Sequence, residues 1–110
     1  MQDAFPACPV EATERLKPIT SWTEIYREAG TTGVEFEEFW DQAVHDGVAY
    51  FFSWLGRPRA TVLVVWEAGR LTHVECRREG DVQLSVEEAG PIVWEVVHAF
   101  QRAGFGDSSH

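Results

Sequence analysis

Apolar residues recur along this chain with two different periods, and the change of period separates helical from strand-forming stretches. Trp22, Ile25, Tyr26 and Ala29 fall at i, i+3, i+4 and i+7, the spacing that lines one face of a helix. Ser21-Trp22-Thr23-Glu24 ahead of them reads as a capping box, with the Ser hydroxyl and the Glu carboxylate satisfying backbone N–H groups. Gly30 is the expected stop. A second box, Thr32-Gly33-Val34-Glu35, opens a helix whose stripe of Phe36, Phe39, Trp40, Ala43 and Val44 is the clearest in the chain, and Gly47 ends it.

Beyond Gly47 the pattern becomes that of strands. Segments 48–55, 60–67 and 70–78 are rich in Val, Leu and aromatics and are broken by Gly56-Arg57-Pro58-Arg59 and Ala68-Gly69. A shorter strand at 81–84 follows the Glu79-Gly80 turn. Ser85-Val86-Glu87-Glu88 is a third capping box, opening a helix to about Ala103 that Gly90-Pro91 should kink or restart. The order predicts an α+β domain: an antiparallel meander of three to four strands packed against two N-terminal helices and one C-terminal helix. Residues 1–20 hold three of the five prolines and no clear period, which predicts an extended or partly disordered arm. The domain then spans 21–104, with a flexible tail over 105–110.

Side chains alternate along a strand, so a tight hairpin at Ala68-Gly69 sorts them onto faces. With Glu67 opposite Arg70 and Trp66 opposite Leu71, a regular register groups Leu63, Val65, Val74 and Cys76 on one face. It groups Val62, Val64, Trp66, Leu71, His73 and Glu75 on the other. The two long helices are expected on the first face. The second remains apolar near its turn, and it is covered either by Trp22, Ile25 and the arm or by a partner or second copy meeting Val62, Val64, Trp66 and Leu71.

Charge changes this picture. The chain carries 18 acids against 9 bases, a net −9. Residues 1–56 contribute −7, residues 57–80 contribute +2 and residues 81–110 contribute −4. Glu35, Glu37, Glu38, Asp41 and Asp46 accompany no Lys or Arg on the second helix and lie off its apolar stripe. The Gly30-Thr31-Thr32-Gly33 connection imitates a helix-turn-helix, but a purely acidic second helix is repelled by a duplex. Direct nucleic-acid binding is not expected. Five tryptophans exclude a disordered acidic tail.

Signatures of chemistry are sparse. His73 and Glu75 project from one strand face and form the candidate acid–base pair, with Trp66 and Val64 as a dry wall. Cys76 and His73 are three apart on a strand and point to opposite faces. No spacing matches a zinc or calcium site, so no metal or cofactor is expected. Cys8 and Cys76 form no disulfide framework, the N-terminus lacks a signal-peptide pattern, and the longest apolar runs are far below the roughly 20 residues of a membrane span. A cytoplasmic protein is expected.

These features favour a small acidic, non-enzymatic binding protein that blocks a basic, nucleic-acid-handling protein partner, as an immunity protein, antitoxin or phage-encoded inhibitor would. The partner surface would combine Glu35, Glu37, Glu38, Asp41 and Asp46 with Val62, Val64, Trp66 and Leu71. Two alternatives stand beside it. One is a small enzyme or ligand-binding domain using His73 and Glu75 in an aromatic-lined pocket. The other is an assembly factor that forms a homodimer through the sheet face.

Overall fold

The computed structural model describes residues 3–33 and 40–104, and for Trp40 and Asp41 the backbone alone. Five strands, β1 (Leu16–Ile19), β2 (Ala49–Trp54), β3 (Ala60–Glu67), β4 (Arg70–Arg78) and β5 (Val82–Gln83), form one antiparallel sheet in sequence order. Among the described residues three helices flank it: α1 (Trp22–Thr32), α2 (Trp40–His45) and α3 (Val86–Arg102). The α+β meander is as expected, with one strand more. That strand, β1, comes from the proline-bearing arm and pairs Leu16 with Trp54 and Ile19 with Phe51. Pro18 is tolerated there because an edge strand need not donate on its outer side.

The capping boxes set two helix starts. Ser21 accepts from the Glu24 N–H at 3.1 Å, while the Glu24 carboxylate accepts from the Thr20 N–H and hydroxyl rather than from Ser21 itself. Ser85 and Glu88 complete the reciprocal box of α3. Gly30 does not stop α1; it lies inside the helix. The left-handed cap falls at Gly33, φ 74°, whose N–H donates to the Ala29 carbonyl at 2.7 Å. Thr32, expected to open the next helix, instead ends this one, and its carbonyl accepts from the Gly80 N–H in the β4–β5 turn. The stripe residues Phe36 and Phe39 lie outside the described residues. Pro91 sits inside a continuous α3.

The hairpin at Ala68-Gly69 has positive φ at both central residues, 53° and 79°, as a two-residue turn matched to strand twist requires. Glu67 faces Arg70 and Trp66 faces Leu71, but a β-bulge follows immediately, so Val65 faces His73 and Val64 faces Val74. One extra residue in β4 reverses the faces beyond it. Val74 and Cys76 therefore join Val62, Val64, Trp66 and Leu71, whereas His73 and Glu75 join Leu63 and Val65. The regular register expected from the turn is corrected on this point.

Each face has its own helical cover. Phe52, Trp54, Val62, Val64, Trp66 and Cys76 pack with Ile92, Val96, Ala99 and Phe100 of α3. Phe51, Leu63 and Val65 pack with Ile25 of α1 and Val44 of α2. The sheet is thus the middle of three layers. Residues 3–13 join the outer two. Phe5 packs on Trp22 and Phe51 in the second cluster, Val10 is buried in the first, and the Thr13 hydroxyl donates to the Glu95 carboxylate of α3.

Candidate functional site

Val62 and Val64 are fully buried and Trp66 is 6% exposed. Trp66 lies flat against Phe100, ring centroids 4.7 Å apart and planes 7° from parallel. The face expected to receive a partner is therefore closed by α3 of the same chain, and of that group Leu71 alone keeps a half-exposed side chain. Neither Trp22 nor Ile25 covers it; both belong to the opposite cluster. The cover is α3's inward stripe, Ile92, Val96, Ala99 and Phe100, joined by Val10 and Cys8 of the arm.

Of the acidic set, Glu35, Glu37 and Glu38 lie outside the described residues, and for Asp41 only the backbone of α2 is described. Asp46 is exposed just after α2 and accepts from Gln42 Nε2 at 2.8 Å.

His73 and Glu75 do meet. His73 Nε2 lies 2.8 Å from Glu75 Oε1, and Arg77 donates to Glu75 Oε2 at 2.8 Å and to Asp81 at 3.1 Å. This chain of charges runs along β4 on the face opposite Trp66 and Val64, so the dry wall expected beside the pair is on the other side of the sheet. The Cys76 thiol, buried under α3, is pushed up to about 11 by desolvation, and burial also raises Cys8. In both, desolvation disfavours the thiolate, the nucleophilic form. His98 stands on the far side of α3, away from Cys76. Among the described residues no three His, Cys, Asp or Glu side chains gather into a metal set. A hollow between Phe5, Cys8, Tyr50 and Phe51 holds about 10 Å³, room for one water.

One polar cluster escaped the sequence reading. Glu28, 7% exposed, accepts from Arg59 Nη1 at 2.8 Å and Nη2 at 2.7 Å, from Thr61 Oγ1 at 2.6 Å and from Ser53 Oγ at 3.0 Å. Burial raises its carboxyl pKa, but the hydrogen bonds from Arg59, Thr61 and Ser53, with the Arg59 charge, outweigh it and leave the group below its ordinary value. The signal was present: Glu28 falls on the Ile25–Thr32 face of α1, and Ser53 and Thr61 interrupt otherwise apolar strands. The cluster clamps α1 to β2 and β3, and every carboxylate lone pair it uses is taken from within the chain.

The outer face of α3 is different. Trp94 is 62% exposed and Val86 90% exposed, and Gly90 and Pro91 are exposed between them. Trp94 stacks on His98 with centroids 3.9 Å apart, and His98 Nδ1 lies 2.7 Å from the Trp94 carbonyl, which holds the indole in place. Glu87, Glu88 and Glu95 flank this surface, with Arg102 the one base on the helix. α3 is amphipathic, with its apolar stripe on the sheet, yet the large apolar side chains of Val86 and Trp94 stand in solvent. A pre-ordered aromatic with an acidic surround is suited to contact with a basic protein surface. No protein-family model, curated protein or solved structure matches the chain significantly. No helix among the described residues is long and apolar enough to cross a membrane.

Proposed function

We propose that this chain is a small acidic binding protein without catalytic activity of its own, which occupies the functional surface of a basic, nucleic-acid-handling protein partner. Immunity proteins, antitoxins and phage-encoded inhibitors act in this manner. The observation that supports the reading is the outer face of α3, where Trp94 is ordered by His98 yet left largely in solvent. Exposing a large apolar side chain in a fixed rotamer does nothing for the fold, and such residues carry much of the binding energy at interfaces. The net charge of −9 favours a basic partner by raising the encounter rate.

The test compares the wild-type chain with Trp94→Ser in affinity capture from its native host, followed by a measured Kd for the protein recovered. The expected outcome is one dominant partner of basic isoelectric point, bound about 30-fold or more weakly by Trp94→Ser, the effect of losing an interfacial anchor of about 2 kcal/mol. Circular dichroism should show the variant folded. Equal binding by both proteins, or an acidic partner, would overturn the assignment.

A further inference from the structure

The charges of α3 are not all spent inside the chain. Glu88 accepts from the Ser85 N–H in the capping box, and Glu95 accepts from Thr13. Glu87 in the first turn and Arg102 in the last are both exposed. Among the described residues neither of these two forms an ion pair or a side-chain hydrogen bond within the chain. They stand about 22 Å apart at 1.5 Å of rise per residue, and the midpoint between them falls beside Trp94.

At about 100° per residue, Glu87 and Trp94 lie within about 20° of each other on the outward face, and Arg102 lies about 80° round from Trp94 on the flank that carries Glu88. Gly90, Pro91, Trp94 and Gln101 are exposed along the same face, and Gly90 has open space where a Cβ would stand. Two such helices packed antiparallel about a twofold axis set each position opposite one equally far beyond the axis. With the axis beside Trp94, indole meets indole, and Glu87 at one end meets Arg102 of the second copy. The symmetry repeats that pair at the other end. It also lays the Arg102 flank on the Glu88 flank of the second copy and opposes the two helix dipoles. A parallel pair would set Glu87 against Glu87 and Arg102 against Arg102.

We infer that a second copy of this chain occupies the outer face of α3 when no partner holds it, in an antiparallel α3–α3 pair about a twofold axis beside Trp94. This rests on the reading of Trp94 as an interface residue and adds its regulation: dimer and complex compete for one face, and the monomer is the form that takes the partner. Charges at the contact decide the pairing, not the total. Each copy carries −9, but at about 0.15 M salt exposed charges farther apart than about 8 Å are largely screened, whereas Glu87 and Arg102 of the second copy come together directly. A contact of one helix from each copy is small, so the dimer is weak and reversible.

Sedimentation equilibrium of the whole chain at about 0.15 M salt is the first measurement. It should show a monomer–dimer equilibrium with a Kd of about 100 µM or tighter, weakened at least about tenfold by Trp94→Ser. The orientation is tested by charge reversal. Glu87→Arg and Arg102→Glu each set like charges at both ends of their own dimer, but an equimolar mixture of the two variants sets opposite charges at both ends. The mixture should associate at least about tenfold more tightly than either variant alone, with circular dichroism showing all variants folded. A monomer at concentrations up to about 1 mM, undiminished association of Trp94→Ser, or no gain on mixing would overturn the proposal. A monomer whose capture of a basic partner still depends on Trp94 overturns this proposal alone; a dimer from which no basic partner is recovered overturns the proposed function alone.

Discussion

Glu28 shows what one side chain does when its partners come from other elements. Its carboxylate is taken from water and given four donors on Arg59, Ser53 and Thr61. Glu28→Gln should destabilise the chain by about 3 kcal/mol, the lower end for breaking a buried pair because Arg59 reaches solvent. The lowered carboxyl pKa also fixes a pH dependence. The unfolded chain takes up a proton near the ordinary 4.5 and the folded one only at lower pH. The stabilisation is therefore complete above the ordinary value and is lost as pH falls through the depressed one. Urea titrations of both proteins between neutral and acid pH should show a steeper acid loss in the wild type than in the variant. Ala68 has the reverse problem. At φ 53° its Cβ is crowded, and Ala68→Asn, giving the preferred Asn-Gly turn, should raise stability by about 0.5–1 kcal/mol, read as a higher urea midpoint at unchanged slope.

At the scale of elements, α3 organises the α3 face, and its interior is less than ideal. Gly90 has open space where a Cβ would stand and no positive φ, so Gly90→Ala should gain about 0.5–1 kcal/mol in thermal or urea unfolding. Phe100 is fully buried against Trp66, Phe52 and Tyr50; Phe100→Ala should cost about 3–5 kcal/mol. Most elements were legible because their periods are strong and their caps are standard: β3, β4, the start of α1 and both ends of α3 fall where pattern and capping place them. β1 was not legible, since four residues with a proline carry no period, and their strand character comes from pairing with β2. The bulge was also invisible. Nothing in Leu71-Thr72-His73 distinguishes a regular strand from one with an extra residue, yet that residue decides which side of the sheet His73 and Glu75 occupy. Likewise the closure of Val62, Val64 and Trp66 depended on which helix docked there, a long-range choice that side-chain alternation cannot express.

Across the described residues, 3–13 reach both helical layers of the molecule. Phe5 and Val10 lie in separate clusters, so Phe5→Ala and Val10→Ala, each costing about 1–3 kcal/mol by lost burial, should add to within about 0.5 kcal/mol in the double variant. Marked non-additivity in urea unfolding would show that the two cores are coupled through the sheet. The same bridge has a consequence for how the chain is made. Thr13 bonds to Glu95 across 82 positions of sequence, so Thr13 leaves the ribosome well before its partner and waits for α3 before it can be fastened. Contacts of such separation slow folding, and during that interval the apolar residues of the arm and the α3 side of the sheet are open to water together, the period in which this chain is most exposed to aggregation and to proteases.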